Sequence, residues 1–369
     1  MALRGALIGL GDVAVHGHLP GWLERRDVEI VAATDTRPAR ETELRCRLPQ
    51  ARWYPSADAL WAGEPLDFVD ICTPPETHAG LIEAALRHGL HVLCEKPLVC
   101  RPEDLAPLAD LARARNRILH TVHNWHQAPV IRKVRGLLHR GAIGDVHRCL
   151  WQTLRTKPAG ADETGTGNWR VDPAVAGGGV LMDHGWHALY VVQGWLGRAP
   201  TRIGARLETR RHTQWSIEDT ATVRLEWPGA TGEILVTWAA HVRRNWVRLD
   251  GAGGSLRIED DTVVASEAAA AGRERRWVCP PALSNGSYHP DWFGAVASEF
   301  VAEVSGTSPT PGASLAEAAL CATLVALAQE SSRRGGASLP VPELFPMAAG
   351  PSREEGIAGA DFHGKERWA

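Results

Sequence analysis

The chain has 369 residues, 44% of them hydrophobic, with 40 Lys and Arg against 43 Asp and Glu and a formal net charge of −3. Such a length buries a large core and fits two domains of ordinary size. The charge balance argues against nucleic acid or an anionic membrane surface as partner, and no apolar run reaches the roughly 18 residues of a membrane span. Cysteines 46, 72, 94, 100, 149, 279 and 321 are scattered without a C-x-x-C pair. That pattern reads as reduced thiols. The opening MALRGALIGLG is too short to span a bilayer and no small-residue cleavage site follows it, so a soluble, cytoplasmic protein is expected.

Residues 3–10 form a short apolar run with the pattern of a buried strand, leading directly into Gly9-Leu10-Gly11-Asp12-Val13-Ala14. This is G-x-G-x-x-A, with a helix expected over 13–25. Gly9 makes the tight turn, Gly11 lets a pyrophosphate approach the backbone across Asp12 and Val13, and Ala14 allows close helix–strand packing. A second strand over 29–34 ends at Asp35, 21 residues beyond Ala14. An acid there accepts hydrogen bonds from the adenosine ribose, which favours NAD. Arg37 and Arg40 soften that preference and keep NADP open.

The alternation continues with a strand over 67–73, a helix over 76–88 stopped by Gly89, a strand over 91–94, a helix over 102–115 and a strand over 118–123. Strand–helix alternation of this kind implies a parallel, doubly wound sheet that binds ligands at the carboxyl ends of its strands. Thr73, Pro74 and the nearby His78 fall at one such end, and Glu95-Lys96-Pro97 at another. They join the cofactor-binding candidates, and Lys96 is placed to meet a nicotinamide or a substrate hydroxyl.

A basic amphipathic helix over 130–140 closes at Gly141, its Arg132, Lys133 and Arg135 reading as a solvated face. A strand over 146–153 precedes a long polar loop, 154–176, in which Arg155, Lys157 and Trp169 are candidate substrate contacts. Gly177-Gly178-Gly179 then opens a helix over 180–196 that sets Asp183 and His187 at i and i+4, one turn apart on one face. A carboxylate so placed orients an imidazole and raises its basicity, as a general acid–base histidine requires.

Segments 203–209, 220–227, 232–238 and 246–250, with a hairpin at 251–254 before 255–258, follow one another without helices and imply an antiparallel sheet. Trp227, Trp238 and Trp246 serve either its core or a subunit interface. Helices are expected over 291–304, opened by Trp292 and Phe293, and over 314–334, where Ser314 and Glu317 form a capping box. Residues 345–369 read as a tail. His16, His18, His120, His123 and His126 fall on separate elements, so no metal site is expected.

G-x-G-x-x-A, the T-P-P-x-T-H run over 73–78, Glu95-Lys96-Pro97 and G-G-G-x-x-x-D-x-x-x-H occur in a fixed order that resembles the glucose–fructose oxidoreductase, inositol dehydrogenase and rhizopine-catabolism (Gfo/Idh/MocA) family over roughly residues 3–340. The resemblance implies an α/β protein: a Rossmann domain over 1–123, a doubly wound parallel sheet, and an α/β domain over 124–344 with a large, open, mostly antiparallel sheet. It also implies NAD(P)-dependent oxidation or reduction of a hydroxyl on a sugar, cyclitol or sugar derivative, and homodimers or homotetramers formed through that sheet. Carried over residue by residue, Lys96, Asp183 and His187 are the catalytic set, with the histidine and lysine handling the hydroxyl proton and the acid supporting the histidine. The three glycines would let their helix start against the nicotinamide. In the run Asn124-Trp125-His126-Gln127-Ala128-Pro129, His126 stands where the family often has an arginine, which puts a carboxylate or phosphate on the substrate in doubt there and makes Trp125 and His126 substrate candidates. The same fold also hosts NAD-retaining glycoside hydrolases and a non-catalytic dinucleotide-sensing repressor. The intact acid–base set argues against the repressor.

Overall fold

The computed structural model describes residues 2–160, 167–268, 273–343 and the pair 367–368. The chain divides into two compact units, Met1–Asn124 with Tyr288–Ala322 and Trp125–Ser287 with Thr323–Ala369.

The first unit is built on β1 (Leu3–Ile8), β2 (Val28–Thr34), β3 (Arg52–Tyr54), β4 (Phe68–Ile71), β5 (His91–Cys94) and β6 (Leu119–Thr121). These pair in parallel in the order β3-β2-β1-β4-β5-β6. The order reverses between β1 and β4, and at such a point loops diverge and leave a crevice at the strand ends. The continuous apolar runs of these strands follow from burial on both faces: Ala6, Leu7, Phe68, Val69, Ile71, Val92 and Leu93 are all fully buried. β3 and the helices Arg40–Arg47 and Ala57–Gly63 have no counterpart among the sequence expectations, because three residues carry no periodicity and the charged segment Arg40–Arg47 is apolar at Leu44 alone.

Chain order places the helix Pro290–Val304 in the second domain, but its side chains put it in the first unit. Phe293, Val296, Ala297 and Phe300 share one core with Leu7, Leu10, Trp22 and Phe68. Gly21 makes room for it, since a Cβ there would lie 2.8 Å from the Phe293 ring. The expected capping box is also corrected. The helix Ala313–Arg333 begins before Ser314, whose hydroxyl accepts from Thr121 N at 2.9 Å and donates to Thr121 O at 3.0 Å, while Glu317 pairs with His123 at 2.7 Å. The Ser314 hydroxyl is thus spent on the edge strand β6, whose outer backbone groups would otherwise lack partners, and Glu317 on a side chain just beyond it.

The second unit opens with the helix Pro129–His139 and β7 (Val146–Leu154). After the helical segments Pro173–Ala176, Leu181–Gly185 and Trp186–Leu196 come β8 (Arg202–Glu208), β9 (Thr220–Trp227), β10 (Ala230–Thr237), β11 (Arg244–Gly251), β12 (Gly254–Glu259), β13 (Thr262–Glu267) and β14 (Glu274–Val278). With β15 (Leu339–Pro340) and β16 (Arg367–Trp368) they form a ten-stranded sheet in the order β15-β8-β9-β10-β7-β11-β12-β13-β14-β16. All neighbours are antiparallel except β7 and β10. Burial alternates along β9 and β10, with Ala221, Val223, Leu225, Ile234 and Val236 inward. Trp227 and Trp238 belong to the buried face, whereas Trp246 is half-buried on the other. Apart from Arg367–Trp368, the expected tail 345–369 lies outside the described residues.

The 154–176 segment is less irregular than expected. Residues 161–166 lie outside the described residues, and the remainder includes the turn Trp169–Val171 and the helix Pro173–Ala176, capped by the side chains of Asn168 and Asp172. The helix Ala313–Arg333 has the length and composition to cross a membrane. In this fold its Ser331 hydroxyl accepts from Ala205 N in β8 at 2.8 Å, and its Ala318, Leu324 and Val325 are buried. None of the seven cysteines is in a disulfide.

Candidate active site

Gly9 and Gly11 answer different needs. Gly9 has φ +88°, a left-handed conformation that suits glycine, and a Cβ there would press on Thr73 and Cys72 at 2.9–3.0 Å. A Cβ on Gly11 would meet nothing within 4 Å, so the missing side chain leaves open space rather than room for protein. Ala14 is buried and opens a π-helical turn, Ala14–His18, which runs into the helix Leu19–Leu23. Asp12 is exposed, 3.7 Å from Arg40 and 3.4 Å from the Tyr288 hydroxyl, and Val13 is half-buried.

Asp35, at the end of β2, accepts from Leu10 N at 2.8 Å, which ties it to the glycine turn. It also accepts from Arg37 N at 2.8 Å and from the Arg37 guanidinium at 2.9 and 3.0 Å. Burial alone would raise its pKa, but the Arg37 side chain and these backbone N–H groups hold it below the usual carboxylate range. The carboxylate stays ionised, and Arg37, exposed on its outer side, is the residue that covers it. An open glycine turn beside a fixed carboxylate fits the pyrophosphate and ribose of NAD.

Thr73 and Pro74 follow β4, and Thr73 Oγ1 accepts from Thr77 Oγ1 at 2.7 Å. His78 is turned the other way from the cofactor role expected of it. Its ring is fully buried, with Nδ1 2.9 Å from Pro97 O and Nε2 2.9 Å from Thr73 O. It ties the ends of β4 and β5 together, and burial holds its pKa below the ordinary value. Glu95 accepts from the backbone N–H of Lys96 at 3.0 Å, and the Lys96 residue itself is half-buried.

In the second unit the glycine run serves the protein itself. Gly177, at φ +74°, ends the helix Pro173–Ala176. A Cβ on Gly179 would overlap the carbonyl oxygen of Glu218. The Glu218 carboxylate accepts from Gly179 N at 2.9 Å and Leu181 N at 3.2 Å, and Glu218 O accepts from Val180 N at 3.1 Å. These bonds satisfy the orphan donors at the helix start. Burial, partly offset by these bonds, raises the Glu218 pKa. Gly179 therefore makes room for Glu218, and Gly177 ends the preceding helix.

The helix then opens with a π-helical turn, Leu181–Gly185, before the α-helix Trp186–Leu196. A π-turn disturbs the i,i+4 alignment on which the pairing of Asp183 with His187 was based. The partner the structure gives His187 Nδ1 is Tyr190 Oη at 2.8 Å. That oxygen also accepts from Trp125 N at 2.9 Å, and the His187 ring lies flat on Trp125, centroids 4.5 Å apart and planes within 10°. His187, Tyr190 and Trp125 are all buried, so the imidazole is fixed on one face and at Nδ1. Asp183 lies 3.7 Å from His184 Nε2, and its charge acts on Arg155 and Arg243.

Arg155 is not placed as a surface contact. Its guanidinium donates to Leu154 O at 2.8 Å, Arg244 O at 3.1 Å and Asn245 Oδ1 at 3.3 Å, and the residue is 1% exposed. Burial, with repulsion from Arg243, pushes its pKa down to about 9. Trp125 backs the imidazole, His126 packs on Tyr190 at 4.7 Å, Trp169 lies under Arg170 at 4.3 Å, and Lys157 is exposed. Tyr190, Glu218 and Arg243 are the residues that sequence reading missed. Only Tyr190 left a signal there, at i+3 from His187 on the same helix face.

A parallel sheet in this order, with an open glycine turn and an acid closing its second strand, defines a dinucleotide-binding domain. The oxidoreductase-family NAD-binding Rossmann-fold model of GFO/IDH/MocA matches residues 3–123 and the GFO/IDH/MocA C-terminal domain model matches residues 131–257. The chain belongs to the GFO/IDH/MocA oxidoreductase family, and NAD is its cofactor. It is 33% identical over 261 residues to dTDP-3,4-didehydro-2,6-dideoxy-alpha-D-glucose 3-reductase of Streptomyces violaceoruber, covering 70% of this chain and 73% of that one. It is 30% identical over 189 residues to D-glucoside 3-dehydrogenase of Escherichia coli, covering 51% and 52%. The fold superposes on levoglucosan dehydrogenase in complex with NADH and levoglucosan with a TM-score of 0.81, at 22% identity, over 93% of this chain and 100% of that one.

Proposed function

We propose that this enzyme is an NAD-dependent dehydrogenase moving hydride between nicotinamide and a secondary hydroxyl or keto group of a sugar, cyclitol or sugar derivative, nucleotide sugars included. The observation that carries the reading is the His187 imidazole, buried flat on Trp125 with Nδ1 fixed by Tyr190. Two relatives whose names place their reactions at position 3 of glucose derivatives support trying that position first.

Bound NAD supplies the hydride acceptor; Gly9, Gly11 and Asp35 would hold it, with Asp12, Val13, Thr73 and Pro74 beside them. Tyr190 Oη has two lone pairs. One takes the N–H of Trp125; with the other on the Nδ1–H of His187, the Nε2 lone pair becomes the base for the substrate hydroxyl. General-base help of this kind is worth about 10²–10⁴-fold. Lys96 hydrogen-bonds the reacting oxygen and stabilises developing alkoxide. Asp183 balances the charges of Arg155 and Arg243 around the helix start.

The proposal extends to a cytoplasmic homo-oligomer assembled through the outer face of the ten-stranded sheet. Leu150 and Leu154 on β7, Leu235 on β10 and Trp246 on β11 are half-buried there on neighbouring strands. Sedimentation of the wild type and of Trp246→Glu tests it: an associated wild type that dissociates in the variant is expected, and a monomeric wild type refutes it.

The activity is tested by following NADH formation with free sugars, cyclitols and nucleotide sugars. NADH is expected with at least one of them, and turnover falling more than about 10²-fold in His187→Ala and in Lys96→Met. Aryl-glycoside cleavage with no net NADH would instead indicate a hydrolase.

A further inference from the structure

Beneath the Glu95-Lys96-Pro97 segment lies a buried ionic group that the mechanism above does not use. His18 closes the π-helical turn that follows the glycine loop. Its Nδ1 faces Asp70 Oδ2 at 2.9 Å and Oδ1 at 3.1 Å, and its Nε2 faces Glu95 Oε1 at 3.0 Å. Carboxylates only accept when ionised, so the ring satisfies both by carrying both protons, as an imidazolium. It is 2% exposed and stacks on Phe293, centroids 3.8 Å apart. Asp70 is fully buried at the end of β4 and also accepts the indole N–H of Trp22 at 2.7 Å. Glu95 returns its second oxygen to the backbone N–H of Lys96 at 3.0 Å.

We infer that His18 is a positioning residue for Lys96, acting through Glu95. The inference rests on the reading that Lys96 contacts the reacting oxygen. Three ionisable groups in an interior are an inefficient source of stability, since well-packed apolar residues of similar volume do as well or better. What this group supplies is a fixed Glu95 carboxylate, and hence a fixed backbone at Lys96. On the other side of Lys96, Pro97 O is 2.9 Å from His78 Nδ1. Lys96 is thus framed by two buried imidazoles, one reaching it through a carboxylate and one holding the next carbonyl. A misplacement of about 1 Å at a reacting group can cost 10²-fold in rate, which sets the scale of what such a frame protects.

The charges face one another in alternation: Asp70, His18, Glu95, and then the Lys96 charge acting on Glu95. Burial alone would lower the His18 pKa, but the Asp70 carboxylate, by its charge and its hydrogen bonds, raises it well above the ordinary value. Burial would raise Glu95, but His18 and then Lys96 hold it low. Burial and Asp70 push the Cys72 thiol up to about 12, so the thiol beside His18 stays neutral. The donor atoms of His18, Asp70 and Cys72 lie within 4.8 Å of one another, a spacing that also suits a metal ion. Here both ring nitrogens already face carboxylates, and hydrogen bonding accounts for the cluster.

The test compares His18→Leu, His18→Gln, Lys96→Met and the double variant His18→Leu/Lys96→Met in steady-state kinetics, with NAD binding measured by titration. His18→Gln keeps an amide N–H for Glu95. The expected result is a kcat lowered by about 10–100-fold in His18→Leu, unchanged NAD affinity, recovery to within about threefold in His18→Gln, and no further loss when His18→Leu is added to Lys96→Met. Lys96→Met at wild-type turnover refutes the role of Lys96. An inactive Lys96→Met beside a His18→Leu of wild-type kcat refutes the positioning role alone. Should His18→Leu fail to fold, His18→Gln and ¹⁵N NMR of the wild-type ring decide: two protected ring N–H protons with imidazolium shifts at about pH 8 are expected, well above the ordinary histidine pKa. A neutral ring, or one equivalent of zinc that survives chelation and is lost in Cys72→Ser, overturns the inference.

Discussion

Tyr190→Phe isolates the feature on which the proposed chemistry depends. The substitution removes one oxygen and leaves the ring, so packing in the fully buried site is preserved. Two hydrogen bonds accepted by the hydroxyl disappear, from His187 Nδ1 at 2.8 Å and from Trp125 N at 2.9 Å. The net loss of a bond is about 1 kcal/mol, and a buried N–H left without an acceptor costs about 1–3 kcal/mol more. The expected destabilisation is therefore about 2–4 kcal/mol, a sizeable share of a typical 5–15 kcal/mol. Urea unfolding should show a lower midpoint at unchanged slope. In kinetics, kcat should fall by roughly 10–100-fold because the imidazole is no longer held in one tautomer, while NAD affinity stays the same. A Tyr190→Phe enzyme with wild-type midpoint and wild-type kcat would refute the claim that this hydroxyl sets the imidazole.

Gly11→Ala should fold with stability within about 0.5 kcal/mol of wild type, because nothing in the protein lies within 4 Å of the new methyl group, yet bind NAD at least about tenfold more weakly; calorimetric titration beside thermal unfolding separates the two. Gly179→Ala should do the reverse, losing about 1–3 kcal/mol or more to overlap with Glu218 O, seen as a lower unfolding midpoint. Asp35→Ala should weaken NAD far more than NADP and release Arg37, and an unchanged preference in binding titrations would remove Asp35 from the ribose site. The His18 pKa is raised on folding, so its contribution is complete below about 6.5 and is lost as pH rises through the folded value. Stability measured upward from about pH 6.5 should therefore decline in the wild type and decline less in Asp70→Leu, and parallel profiles would contradict the ion pair.

The first unit was legible because its strands are continuous apolar runs and its glycine turn has a fixed backbone requirement. β1, β2, β4, β5 and β6 lie within two residues of where hydrophobic pattern placed them or coincide with it. Contacts between residues distant in sequence were hidden. Nothing in local periodicity shows that Phe293 stacks on His18, or that Ser314 bonds Thr121. In the candidate site, spacing pointed to His187 but not to the Tyr190 hydroxyl at its Nδ1, and the i,i+4 argument assumes an α-helix where Leu181–Gly185 is a π-turn. The glycines at 177–179 were conspicuous in sequence, but the reason for Gly179, Glu218, lies some 40 residues further on. Arg155 and His78 were selected as polar residues near functional segments; both are buried and bonded to backbone carbonyls.

In the proposed reaction a carbinol hydrogen passes to NAD while His187 takes the hydroxyl proton. The most direct measurement uses the best substrate from the NADH screen, deuterated at the reacting carbon, with the cofactor and sugar product analysed by mass spectrometry. One deuterium is expected on the nicotinamide per keto sugar formed, at a rate more than about 10²-fold lower in His187→Ala. Deuterium retained in a cleaved sugar, with no net reduced cofactor, would contradict it.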